Sequence, residues 1–457
     1  MNGPSPCGPR GVVAWLPAQA DAKSGAMKTW RHRGSSGWVV GTLVWASLLV
    51  SGAGCRTLPG ATTDVVTGGP DDIALVGGTI HPAPGATPIV NGAVLISGGR
   101  ILAVGPRDSV HIPEGTRVLD VSGRTVLPGF WNSHVHFTAP VWEEAERLPA
   151  AQLERQLQDF LLRYGFVRAY DLGSTPSVLQ ALRRRIQSGE VKGPTLFGAG
   201  GGLVPLHGAP VYLPPGTLPE ASSPEVTRAV VQRAMDAVGL DAVKLFTVSV
   251  TRQRPFPVMS SDSIRVAVEE AHARGKPVFA HPTNLAGVTA AVEGGVDILA
   301  HTVSSAEDLP EALQQRMVRE HVALIPTLSL WEPEFKRAGV PEDAIARQVA
   351  ASKKQLGRHV ESGGRVLFGT DAGYEPDVSP LREYVLMKEA GLDFARILAS
   401  LTTEPAAQFH QEERFGRLAP GFEAAVVVVE GDPTREIEAL AQVRLVLGQG
   451  RILFQAE

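Results

Sequence analysis

Cysteine is nearly missing from this chain: of 457 residues only Cys7 and Cys55 are cysteine, both near the N-terminus. A disulfide framework or a cysteine-built zinc site is therefore excluded from the main body. A large excess of either charge is also lacking. The formal net charge is −4, which leaves no basic footprint and excludes nucleic acid as the expected partner. Gly and Pro are abundant but scattered at strand ends and turns, so the chain is not a low-complexity tract. The apolar segment from Trp38 to Val50 falls well short of the ~20 residues that span a bilayer, which argues against a permanent membrane helix.

What is present suffices for two domains behind a leader. With 44% apolar residues, the chain suits a barrel of roughly 250 residues or more plus a second domain. From Met27, the basic residues Lys28, Arg31 and Arg33 precede the apolar segment, and Ser51-Gly52-Ala53-Gly54-Cys55 follows it. Basic, apolar and small-residue regions in that order form a secretory signal. The cysteine after Gly-Ala-Gly resembles a bacterial lipoprotein lipobox, whose cysteine becomes the lipidated first residue of the mature chain; Gly52 departs from the leucine-like residue preferred there. Plain secretion and an uncleaved anchor are the alternatives. The expected location is the bacterial cell envelope, in the periplasm or as an outer-membrane lipoprotein, with membrane contact only through a lipidated Cys55.

From Asp72 the chain runs through short alternating strands, IALVGGTIH, GAVLISGG, RILAVG and RVLDVSG, broken by turn residues. EAAVVVVEGDP and VRLVLGQGRILF repeat that texture near the C-terminus. Neither set alone has enough strands for a stable sandwich, so the two ends are expected to pair into one small β domain; two unrelated hairpins are the alternative. Between them lie eight apolar strand candidates: RTVLPGF, GFVRAYDLG, PTLFGAG, AVKLF, PVFAH, DILAH, VALIPTL and RVLFGTD. Helical patterns such as QLERQLQDFLLRYG and DSIRVAVEEAHARG separate most of them. The expected fold is α/β, a (β/α)8 TIM barrel with a β-sandwich domain formed by both chain ends. The expected divisions are 1–55 leader and signal, with Met27 a candidate true start, 56–70 linker, 71–128 first sandwich part, 129–410 hydrolase barrel and 411–457 second sandwich part.

Polar residues recur where these strands end: His134 and His136, then Lys244, His281, His301 and Asp371. Barrel active sites assemble at the C-terminal ends of strands, so residues far apart in sequence can converge there. Each has a plainer reading. A His-x-His pair on one strand face can simply share a hydrogen-bonding wall. His281 and His301 could be satisfied interior histidines, and Asp371 a helix N-cap. Lys244, flanked by Val243 and Leu245, would carry a buried charge at substantial cost unless carbon dioxide converts it to an anionic carbamate ligand. All six together point to one pocket able to hold divalent metal.

The ordered motifs VLPGFWNSHVHF, VKLF, FAHPTN, ILAHT, LFGTDAG, LTTEPAAQFH and RFGRLAPGFEAAVVVVEGDP resemble the amidohydrolase superfamily, in the branch similar to imidazolonepropionase and prolidase-like dipeptidases. The resemblance runs from about Asp72 to the C-terminus. It implies His134, His136 and Asp371 on the more buried metal, His281 and His301 on the other, and carbamylated Lys244 bridging both. Asn132 stands where Asp is commoner, and Ala424-Ala425-Val426 replaces Ala-Asp-Leu; neither departure touches a ligand. One or two divalent ions, zinc foremost, would lower the pKa of a bound water and polarise the scissile carbonyl. Asp371 would pass the water's proton to the leaving nitrogen.

The substrate is expected to be a small molecule with an amide or cyclic C–N bond. A dipeptide of Xaa-Pro or Xaa-Lys/Arg type, a lactone or a phosphotriester suits the same metal site, and a non-catalytic binding lipoprotein is the remote alternative. Selectivity falls to the loops Ala199–His207, Thr251–Arg254 and Tyr374-Glu375. His207 resembles a substrate-contacting histidine and is a candidate catalytic residue, while Arg252 or Arg254 could grip a carboxylate. Self-association is left open.

Overall fold

The computed structural model describes Gly69, residues 71–303 and residues 308–456. The signal segment, Cys55 and, except for Gly69, the linker lie outside the described residues. Residues 66–457 form one compact unit. Among the described residues no helix is long and apolar enough to cross a membrane.

The valine run near the C-terminus is the joint of the fold. Val426–Glu430 pairs antiparallel with Arg124–Pro128, Val426 opposite Pro128 and Glu430 opposite Arg124, so the two ends of the chain share one sheet. That sheet has the order Arg451–Gln455, Val443–Gly448, Val426–Glu430, Arg124–Pro128, Thr79–Ile80. Successive side chains of a strand face opposite ways. Val426 and Val428 enter a core with Val94, Ile96 and Leu447, whereas Val427 and Val429 join the larger core that includes Phe130 and Phe166. A strand buried on both faces tolerates no alternating polar residue, which is why four valines stand in a row. The facing sheet, in the order Arg100–Pro106, Gly92–Ser97, Ile73–Val76, Arg117–Asp120, covers the first of these cores.

The RTVLPGF segment corrects an expectation. Its residues Arg124–Pro128 belong to this sandwich sheet, and the first barrel strand is the next one, Phe130–Val135 (β1). The break falls at Gly129, where a Cβ would lie 2.7 Å from Val167 Cγ2 and 3.0 Å from Ala425 Cβ. Only glycine fits between barrel and sandwich at that crossing.

The parallel strands that follow are Phe166–Asp171 (β2), Thr195–Gly198 (β3), Val243–Phe246 (β4), Val278–His281 (β5), Ile298–Ala300 (β6) and Ala323–Ile325 (β7). β1 to β3 form one sheet and β4 to β7 another. Three contacts join them into a ring. Leu203, just beyond β3, bridges to Leu245 of β4, with the Leu203 N–H donating to the Lys244 carbonyl at 2.9 Å. The eighth segment bridges β7 through Leu324 and Val366, and returns to β1 through Val135 and Ala372. Seven helices lie at the expected helical patterns, among them Ala150–Phe160 and Ser261–His272. Ser223, Ser260 and Asn284 each accept a backbone N–H at a helix start. The architecture is the α/β barrel with a β-sandwich built from both chain ends.

At the base of the barrel Arg168 of β2 is buried. It pairs with Glu423 of the sandwich at 2.5 Å and lies 4.3 Å over the Phe415 ring. This charge fastens one domain to the other and faces away from the strand ends that carry the histidines.

Candidate metal centre

All six strand-end residues converge. The centre is built on the end of β1, where His134 and, one residue past the strand, His136 alternate onto one side, and on the eighth segment, which delivers Asp371. The backbones of these neighbours are registered by Asp371 N–H on the His134 carbonyl at 2.9 Å and His136 N–H on the Ala372 carbonyl at 2.7 Å. Asp371 Oδ1 lies 3.1 Å from His134 Nε2 and 2.7 Å from His136 Nε2, and those two nitrogens are 3.1 Å apart. Three potential ligand atoms thus meet within 4.8 Å of one another. The rings continue from there: His134 and His301 centroids are 4.7 Å apart, and His301 and His281 centroids 4.9 Å. Lys244 lies in β4, where Phe246 pairs with His281 of β5, and its Nζ stands 5.6 Å from the Phe246 ring centre.

Electrostatics set the protonation states. Burial, more than any charge, pulls His134 and His281 down to about 3 and His301 well below the ordinary imidazole value. Burial pushes Asp371 up, but the adjoining imidazoles outweigh it and hold the carboxyl well below the usual carboxylate range. Burial likewise lowers the Lys244 amine to about 8, with Asp371 opposing. At neutral pH His134, His281 and His301 are therefore neutral imidazoles near the Asp371 carboxylate.

A cation fits that donor set. His134 Nδ1 is buried without a hydrogen-bond partner, and two imidazole Nε2 atoms crowd a single carboxylate oxygen at 2.7 and 3.1 Å, lone-pair donors that a proton or a cation must hold together. Neutral nitrogen donors with an oxygen anion are what a zinc-like ion takes.

Two threonines orient the other pair of histidines. Thr327 Oγ1 lies 2.6 Å from His301 Nδ1, and Thr283 Oγ1 lies 3.0 Å from His281 Nε2. Both threonines have positive φ, 40° and 53°, as do His301 at 79° and Asp371 at 59°. For a β-branched residue that region is strained, and such strain gathers where neighbouring structure imposes it at functional sites. Sequence reasoning missed both threonines, although FAHPTN and VALIPTL contain them.

The loop candidates fare differently. His207 is exposed, its backbone N–H bonded to Glu220 at 3.1 Å, and none of the contacts linking the six involves it. Arg254 is committed to its own loop: it donates to the Thr251 and Gln253 carbonyls and lies 3.9 Å over the Phe256 ring. That local use engages its Nη1, and Arg252 is exposed. Glu375 is buried and bound by Arg337, while the Tyr374 hydroxyl donates to Glu334 and the Tyr374 ring packs 5.3 Å from Tyr212. The Tyr374-Glu375 loop is thereby tied to the helix Trp331–Arg337.

A prolidase solved in complex with N-methylphosphonate-L-proline superposes over 84% of this chain and 100% of its own, with a TM-score of 0.69 and 26% identity. The ochratoxinase of Aspergillus niger is 22% identical over 194 residues, 42% of this chain and 40% of that protein. The imidazolonepropionase of Symbiobacterium thermophilum is 46% identical over 55 residues, 11% of this chain and 13% of that protein. The chain thus spans less than half the length of these two curated relatives. The sequence profile of the amidohydrolase family matches residues 125–453, from the sandwich strand before β1 to the last strand, and this chain belongs to that family.

Proposed function

We propose that this protein is a metal-dependent hydrolase of small molecules that cleaves an amide or cyclic C–N bond. The observation that carries the reading is the meeting of His134 Nε2, His136 Nε2 and Asp371 Oδ1 beside an unpartnered buried His134 Nδ1. In this reading His134, His136 and Asp371 hold one divalent ion, and His281 and His301 a second. Lys244 would bridge them as a carbamate: the buried ammonium, lowered to about 8, first releases one proton, the neutral amine adds to carbon dioxide with formation of an N–C bond, and a second proton leaves nitrogen to give an anionic two-oxygen ligand. A bound divalent ion, zinc by the donor set, supplies Lewis-acid activation of water and carbonyl. The Asp371 carboxylate, held ionised, accepts the proton of the attacking water and returns it to the leaving nitrogen. His207, on the exposed loop after β3, is assigned to the substrate side.

The likeness to the prolidase over 84% of the chain favours a dipeptide of Xaa-Pro type as the second reading. A panel of N-acyl amino acids, Xaa-Pro and Xaa-Lys dipeptides, hydantoins, lactones and a phosphotriester tests the substrate class. Metal analysis tests the centre. About two equivalents in wild type, lost in Lys244→Ala together with activity and partly restored by short carboxylic acids, is the expected result. A wild type without metal would turn the reading towards a binding protein, and an unchanged Lys244→Ala would remove the bridge.

We further propose envelope attachment through Cys55, on the basic, apolar and small-residue order of residues 27–55. Cys55→Ser should leave the membrane fraction or remain unprocessed while turnover persists; equal membrane retention would point to an uncleaved anchor.

A further inference from the structure

The loop after β7 presses on His301 from several directions. The backbone of His301 and Thr302 lies along this loop, with His301 N–H on the Ile325 carbonyl at 2.8 Å and Thr302 N–H on the Pro326 carbonyl at 3.2 Å. Trp331 Nε1 donates to Thr302 Oγ1 at 2.8 Å, and Thr327 Oγ1 meets His301 Nδ1 at 2.6 Å. Thr327 occupies the left-handed region, φ 40° and ψ 51°, immediately before the single turn Leu328–Leu330. A β-branched residue does not rest there unaided.

What holds that turn is Glu383. This residue lies in the helix Leu381–Glu389, fully buried at 0% exposure. One carboxylate oxygen accepts the Leu328 N–H at 2.9 Å and the other the Ser329 N–H at 2.8 Å. The carboxyl group therefore binds the two backbone donors that follow Thr327; burial pushes it up to about 7 against these bonds and one from the Ser329 side chain, with no basic side chain among the described residues opposing it. Burying a carboxyl group with no cation beside it carries a desolvation cost. An apolar residue would avoid that cost if the helix needed only to pack.

Resting on the metal-centre reading above, we infer that Glu383 is a positioning residue of that centre: it fixes the turn at Leu328 and Ser329 so that the Thr327 hydroxyl orients His301, leaving Nε2 as the ring nitrogen for an ion. The chain of contact runs from helix to turn to hydroxyl to imidazole, and Glu383 itself touches neither ligand nor substrate. Partners that orient a ligating imidazole are typically worth 10- to 100-fold in metal affinity.

The test is made on the full-length protein with Co(II) as the probe, reading affinity by competition with a chromogenic chelator and the ligand field by visible absorption. Glu383→Gln keeps the volume but offers one acceptor for two N–H groups. It should lose about 10- to 100-fold in Co(II) affinity and alter the cobalt spectrum. Thr327→Val should do the same, whereas Thr327→Ser, which keeps the hydroxyl, should stay near wild type. Because both residues act through one contact chain, the double variant Glu383→Gln/Thr327→Val should be little worse than either single one. A thermal melt separates packing from positioning. Glu383→Gln with a lowered Tm but wild-type affinity and spectrum overturns the inference, as do multiplicative losses in the double variant. Should Glu383→Gln fail to fold, Thr327→Val decides alone, and unchanged affinity there overturns it. Failure of wild type to bind Co(II) would instead sink the metal-centre reading itself.

Discussion

The two arms of the centre are organised differently. His134, His136 and Asp371 order one another: their ligand atoms lie 2.7 to 3.1 Å apart, on two neighbouring segments registered by backbone hydrogen bonds. Asn132 locks that register. Its Nδ2 donates to Thr370 Oγ1 at 2.8 Å, and its Oδ1 accepts the N–H groups of His134 and Thr370. An amide can make this double bridge between strands, which accounts for Asn in place of the commoner Asp. Among the described residues no carboxylate links His281 and His301 as Asp371 links the first pair. They depend on Thr283 and Thr327, both in backbone conformations that the residues themselves disfavour. The first arm is held by its own ligands and the second by residues outside it, so damage should spread differently in each.

The largest expected effect breaks the first arm at its shared oxygen. Asp371→Ala removes a ligand atom that both His134 and His136 face and should cost both metal and turnover. Asp371→Asn leaves a carbonyl oxygen but no proton acceptor, so much of the metal should remain while kcat falls by about 10²- to 10⁴-fold. Parallel metal titrations and steady-state kinetics check the pair, and near-normal kcat in Asp371→Asn would take Asp371 out of proton transfer. A smaller effect sharpens the comparison on the second arm. Thr283→Val keeps the β-branched shape but frees His281 Nε2, and should weaken metal binding by about 10- to 100-fold with no change of ligand. Equal metal affinity in wild type and Thr283→Val would mean that His281 is held by packing alone.

The first arm was also the more legible in sequence. His-x-His on one strand face and Asp371 in LFGTDAG are ligand types at strand ends, a local signal that barrel geometry converts into a site. The threonines carry no such signal, since their effect depends on a φ value imposed by the fold. Glu383 was silent for a related reason: in LREYVLMKE it reads as one more acidic residue of a helix. Arg254 was less legible in the opposite sense, because a guanidinium that looks free in TRQRPF has its Nη1 engaged by the carbonyls of its own loop. RTVLPGF was misplaced by one strand because an apolar strand for the sandwich and one for the barrel look alike, and Gly129 separates them only through what packs against it.

Sequence by itself determined the alternation of strands and helices, the pairing of the chain ends and the six ligand-type side chains, because apolar periodicity and strand-end position are properties of neighbouring residues. Tertiary structure alone decided which loop residues are already engaged and what fixes each imidazole. Those outcomes depend on contacts as distant as Glu383 with Leu328 or Arg168 with Glu423, and a linear pattern does not encode which buried donor will meet which acceptor.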